Sequence, residues 1–195
     1  MATISTETIK ELRDSTGVSI MQCKKALEEA GGDMEKAKVI LRKQSVTAAS
    51  KKADRTLGAG VVSAYTHAGG SVVGAVVLAC ETDFVSKNEE FGKLAYAIAM
   101  HIAAMDPIWK DAAEVTAADT EAARAVFEKE VTSLPEASQK KALDGKLQKF
   151  IAERSLLEQP FIKDPTRTVR GLIEEAVQKF GEKIEVARFE RLSVK

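Results

Sequence analysis

The sequence predicts an α+β fold. Three short helices make an amino-terminal module, and a small antiparallel β-sheet covered by helices, with a helical hairpin among them, makes the rest. Three observations carry that expectation. Apolar residues recur at helical spacing from residue 5 to residue 43, punctuated by glycines. Two valine-rich runs, 61–65 and 72–79, flank the turn His67-Ala68-Gly69-Gly70. Beyond Phe91 the apolar spacing is helical again, broken at Asp106-Pro107 and at Ser133-Leu134-Pro135.

The first helix carries Ile9 and Leu12 on one face and stops at Thr16-Gly17, because a glycine at C′ adopts the left-handed conformation that closes a helix. Ser19 and Gln22 match a capping box, in which the hydroxyl takes the N3 amide. The helix they open sets Ile20, Cys23, Leu27 and Ala30 on one side and Lys24, Lys25, Glu28 and Glu29 mostly on the other, and Gly31-Gly32 ends it. Asp33 then N-caps a third helix with Met34, Ala37, Ile40 and Leu41 facing inward. The expected domains are residues 1–45 for this three-helix unit, a polar, alanine-rich linker at 46–57, and an α+β core at 58–195. Such small modules offer a loop and a helix end to a partner, and Val18, Ser19, Ile20 and Met21 are the candidates. One exposed apolar side chain buried in an interface contributes roughly 1.5–3 kcal/mol. Spacing alone equally allows Ile20 and Met21 to complete the small core, and Lys24 and Lys25 read as a solvated face.

Gly58-Ala59-Gly60 interrupts the helical pattern, after which the two valine-rich strands form an antiparallel hairpin. The stretch Cys80-Glu81-Thr82-Asp83-Phe84-Val85-Ser86-Lys87-Asn88-Glu89-Glu90-Phe91 then joins strand to helix. Ser86 with Glu89 matches a second capping box, which sets Asp83 and Phe84 just ahead of the first helical turn, on a short pinned protrusion. An acid beside a large aromatic there can bring charge and an apolar wedge to one point of a partner. The competing reading has Phe84 capping the core and Asp83 solvated. The next helix repeats Phe91, Leu94, Ala95, Ile98, Ile102 and Met105, with His101 at the edge of the apolar face and Met100 opposite.

Residues 117–132 and 136–156 give two more helices, joined so tightly that they form a hairpin; Leu143, Leu147, Phe150 and Ile151 mark the apolar face of the second. A last helix at 168–180 is closed by Gly181, and residues 184–189 supply a third strand.

Composition excludes several classes of function. The chain has 195 residues, 45% of them apolar, which suffices for a real core. Twenty-nine basic residues balance 29 acidic ones, so the basic footprint that draws a protein to nucleic acid is missing. No apolar run spans a bilayer, and Met1 to Glu7 lack a signal-peptide pattern, so a cytoplasmic protein without membrane contact is expected. Cys23 and Cys80 lie in apolar patterns without a CxxC pair, as small buried hydrophobes do. His101 has no second ligand at metal spacing, so neither metal nor cofactor is expected.

Two motifs resemble a known family. Leu12-Arg13-Asp14-Ser15-Thr16-Gly17-Val18-Ser19-Ile20-Met21-Gln22-Cys23-Lys24-Lys25-Ala26-Leu27 is similar to the amino-terminal signature of translation elongation factor Ts, and Glu81-Thr82-Asp83-Phe84-Val85-Ser86-Lys87-Asn88 to its second signature. The likeness extends to Lys51-Lys52-Ala53, Met100-His101-Ile102-Ala103 and Leu157-Glu158-Gln159-Pro160-Phe161. Ala79 stands where the family usually has Asn, and Ser19-Ile20 where it usually has Gly-Met.

The resemblance implies a guanine nucleotide exchange factor acting on elongation factor Tu, with no bond made or broken in this chain and hence no enzyme in the usual sense. It implies that Thr82, Asp83, Phe84 and Val85 form one contact, that His101 lies near the partner's nucleotide site, and that Val18, Ile20, Met21 and Lys24 dock the amino-terminal module. The chain has length for one copy of the family's core unit, as in the short form that pairs two chains, so a homodimer in a two-to-two complex is expected. The hairpin at about 117–156 matches the family's protruding coiled coil. The amino-terminal unit also resembles ubiquitin-associated (UBA) domains, which makes a non-catalytic adaptor the alternative. An enzyme pairing Asp83 or Glu81 with His101 finds no nucleophile arrangement or phosphate loop to support it.

Overall fold

The amino-terminal helices begin and end where their caps stand. In a computed structural model of the chain, which describes residues 4–194, they are α1 (Thr6–Thr16), α2 (Ile20–Glu29) and α3 (Met34–Ser50). Met1 to Thr3, part of the expected amino-terminal unit and of the stretch without a signal-peptide pattern, and Lys195 lie outside the described residues. Gly17 closes α1 at φ 68°, its N–H donating to the Arg13 carbonyl at 2.7 Å. Ser19 accepts the Gln22 N–H at 3.4 Å, and Asp33 accepts the Lys36 N–H at 3.0 Å. Leu12, Val18, Cys23, Ala26, Leu27, Ala37 and Leu41 form the buried core of the three helices, edged by Ile9, Met34 and Ile40. Ile20, which the spacing left open to either the core or a partner, is 57% exposed. Val18, just ahead of the cap, fills that end of the core instead. The third helix runs on through Ser50, into the alanine-rich connector, because nothing in 44–50 breaks a helix.

By contacts the chain divides into two compact units. One gathers Met1–Ser63, Val77–Tyr96 and Gly171–Ala187; the other gathers Ala64–Val76, Ala97–Arg170 and Arg188–Lys195. Strands β1 (Ala59–Thr66) and β2 (Val72–Cys80) form the expected hairpin, closed where the His67 N–H donates to the Val72 carbonyl at 2.8 Å. Two short sheet strands, β3 (Pro160–Phe161) and β4 (Asp164–Thr168), pair with each other, and β5 (Ile184–Ser193) completes an antiparallel sheet in the order β1-β2-β5.

Between β2 and β5 the chain forms α4 (Asp83–Ser86), α5 (Glu89–Met105), α6 (Ala117–Val131), α7 (Glu136–Arg154) and α8 (Val169–Phe180). Gly74 lets β2 approach α5 closely: a Cβ there would lie 2.2 Å from the Ala99 carbonyl oxygen and 2.6 Å from the Ala103 nitrogen. The hairpin α6–α7 is tied by Phe127 and Phe150, edge to face at 5.9 Å, and by Lys146 to Glu130 at 2.7 Å. The β3–β4 hairpin escaped the sequence because Pro160 and Pro165 lower the strand signal.

Candidate partner-binding site

Phe84 stands out. It is 82% exposed, while the next residue, Val85, is 3% exposed and anchors the same turn. The two belong to α4, a single helical turn that the sequence does not predict. The expected capping box at Ser86 and Glu89 does not form: the Ser86 hydroxyl donates instead to the Asp83 carbonyl at 3.2 Å, within α4. The start of α5 is satisfied by Asn88, whose side-chain oxygen accepts the Glu90 N–H at 2.9 Å. The turn is therefore separate from the long helix, and Asp83 and Phe84 lie inside it rather than ahead of a cap.

The foot of this turn is bonded on both sides. Glu182 accepts the Glu81 N–H at 3.1 Å and the Thr82 N–H at 3.0 Å. Glu81 in turn accepts the Lys183 N–H and, at 3.1 Å, the Arg55 guanidinium. These partners, the backbone N–H first and the guanidinium after it, hold the Glu81 carboxyl below the usual carboxylate range. Asp83 is exposed and pairs with Lys87 at 2.6 Å, which likewise holds it ionised. The geometry offers an apolar ring next to a negative charge on a braced base. Glu182, Lys183 and Arg55 were not singled out from the sequence; no local pattern links a residue to one 101 positions away.

His101 lies elsewhere than expected. It is fully buried, not at a border, because α5 is covered on a wide face that includes Ile98, Ala99, Ile102 and Ala103. Its Nδ1 accepts the Ile162 N–H at 3.2 Å, which leaves Nε2 to donate to the Gln159 side-chain oxygen at 2.9 Å. Gln159 donates onward to the Glu153 carbonyl at 2.8 Å and the Met105 carbonyl at 3.3 Å. The imidazole also stacks on Phe161 at 5.8 Å. No side-chain surface of His101 is left to meet a partner.

The amino-terminal candidates separate. Ile20 and Met21 are 57% and 64% exposed, and Lys24 is exposed beside Glu28 at 3.8 Å, whereas Val18 is 4% exposed and belongs to the core. Thr82 and Val85 act as base and plug of the turn, not as its tip.

A model of the family described as Elongation factor TS matches residues 49–195. The elongation factor Ts of Desulforamulus reducens is 47% identical over 193 residues, covering 98% of this chain and 89% of the relative. That of Thermosipho melanesiensis is 44% identical over 193 residues, covering 98% of both chains, and that of Herpetosiphon aurantiacus is 42% identical with the same coverage. The chain belongs to the elongation factor Ts family. As an elongation factor Ts family member it serves translation elongation in protein biosynthesis. Among the described residues no group of three or more His, Cys, Asp or Glu side chains is placed to hold a metal ion, and no helix is long and apolar enough to cross a membrane. Both cysteines are buried and free.

Proposed function

We propose that this chain promotes GDP release from elongation factor Tu by binding it, with Phe84 as a wedge between helices of the GTPase domain and Asp83 acting beside it. The exposure of Phe84, 82% on a braced turn, is the observation that carries this reading. An exchange factor must bind the nucleotide-free partner more tightly than the loaded one, and linkage makes the weakening reciprocal. Magnesium demands near-ideal octahedral geometry, so a small shift of its ligands weakens it disproportionately and frees the nucleotide. Each tenfold of coupling requires about 1.4 kcal/mol, so several contacts act together. Ile20, Met21 and Lys24 dock the three-helix unit, with Val18 holding their loop from inside. Thr82 and Val85 carry the wedge. His101 serves through the segment it fixes, Phe161 and Ile162, rather than by its own surface. Two chains pair to engage two partners; β5 has no cysteine, so no disulfide in that strand joins them.

The test is stimulated release of a fluorescent GDP from GDP-loaded elongation factor Tu at substoichiometric amounts of the chain. Phe84→Ala is expected to keep its fold and assembly yet slow stimulated release about tenfold or more, the scale of losing one buried aromatic contact. Release as fast as with the unaltered chain discards the wedge.

A further inference from the structure

The side chain that normally caps a helix is turned away from α4. Thr82 occupies the N-cap position but makes no capping bond; its hydroxyl donates instead to Glu182 at 2.5 Å. With the Glu81 and Thr82 N–H groups, at 3.1 and 3.0 Å, Glu182 therefore receives three donors from the last residues before the turn. One helical turn has no stability of its own, since nucleation fixes several dihedrals for a single hydrogen bond. What fixes the direction of Phe84 is thus the pairing of its foot with Glu182, together with Val85 buried beneath it.

The bracing runs both ways. Glu182 comes directly after Gly181, whose φ of 75° ends α8 and turns the chain toward the foot of α4. The next residue, Lys183, donates its N–H to Glu81 and its ammonium to the Ala53 carbonyl at 2.6 Å, and Arg55 reaches the same Glu81 carboxylate. Two carboxylates, each bonded to the other's strand end, make a reciprocal clamp. Charge-assisted bonds of this kind are roughly twice as strong as neutral ones.

We propose that Glu182 is a positioning residue for nucleotide release: through its three bonds to Glu81 and Thr82 it holds Phe84 in the direction the wedge requires, without touching the partner itself. This role rests on Phe84 being the wedge and specifies what holds the wedge in place. Exposure alone would let an aromatic side chain on a loose loop bind; a fixed direction is what lets binding be converted into displacement of the partner's helices.

The experiment uses the full chain and fluorescent-GDP-loaded elongation factor Tu, comparing Phe84→Ala, Glu182→Ala and the double variant, with amide hydrogen exchange on each. Glu182→Ala is expected to lower the maximal stimulated release rate about tenfold, the scale of losing charge-assisted bonds, while the half-saturating concentration moves by less than about threefold. The Glu81 and Thr82 amides should exchange faster while α8 keeps its protection, and the double variant should be no slower than Phe84→Ala alone. A residue that merely stabilises the fold would lower α8 protection and add its loss to that of Phe84→Ala. Should Glu182→Ala lose α8 protection, Thr82→Val decides, since it removes only the hydroxyl donor; a loss of about threefold is expected from one such bond. If Phe84→Ala slows release and neither Glu182→Ala nor Thr82→Val does, or if the losses add in the double variant, this inference fails and the wedge stands. If Phe84→Ala itself is as fast as the unaltered chain, the wedge fails and the clamp's role in release falls with it.

Discussion

His101 shows how one buried group ties stability to pH. Neutral imidazole satisfies both of its neighbours: Nδ1 accepts from the Ile162 N–H and Nε2 donates to Gln159. A second proton would set N–H against N–H at Ile162. Burial accordingly pushes the His101 pKa below the ordinary 6.5, against a smaller opposing effect from the Gln159 bond. As pH falls through about 6.5 the unfolded chain takes up a proton that the folded chain refuses, so stability is fully present above that pH and declines below it. Urea unfolding at about pH 7.5 and about pH 5.5 is expected to show the unaltered chain weakening by at most about 1.4 kcal/mol per pH unit. His101→Leu, which leaves the Ile162 N–H unpaired, should be weaker at both pH values but should not change between them. A slope that survives the substitution would assign the effect to other groups.

At the scale of elements, Gly74 in β2 and Gly145 in α7 make a contrast. A Cβ on Gly74 would collide with backbone of α5, whereas one on Gly145, inside α7, would meet nothing within 4 Å. Glycine in a helix interior costs about 1 kcal/mol relative to alanine. Gly145→Ala is therefore expected to raise stability by about 0.5–1 kcal/mol, read as a higher urea midpoint with an unchanged slope. Elements whose signals are local could be read from the chain: Gly17, Ser19 and Asp33 cap the helices the sequence assigns to them, and the valine runs are strands. The failures share a cause. Ser86 and Glu89 fit a capping box, yet α4 ends at Ser86 and Asn88 caps α5, because tertiary bonds at Glu81 and Thr82 outweigh the local pattern. His101 looked like a border residue because helical spacing counts one apolar stripe, and α5 is covered more widely than one stripe. In the candidate site the tip, Asp83 and Phe84, was legible, but its support was not, since Glu182 and Arg55 come from distant parts of the sequence.

For the whole molecule, the two edges of the sheet bear on how many chains act together. In the order β1-β2-β5 the outer strands are β1 and β5. Strand β5 carries Glu185, Arg188, Glu190 and Arg191, charges of the kind that block pairing with another chain. Strand β1, Ala59–Thr66, carries no charge and no proline, and its Val62 is 72% exposed. An uncharged edge of that length is a liability unless something covers it, and a second copy of the chain is the cover the proposed two-to-two assembly supplies. Light scattering of the isolated chain at micromolar concentration is expected to give twice the single-chain mass of 21.1 kDa, and with elongation factor Tu a complex of two chains of each kind. Val62→Lys places a charge on that edge and should shift the mass toward one chain while the three-helix unit, whose core does not include Val62, stays folded. If pairing supports exchange, stimulated GDP release per chain should fall with the variant and, for the unaltered chain, fall on dilution as the pair separates. A single-chain mass from the unaltered protein, with full exchange activity at every dilution, would show that one core unit is enough.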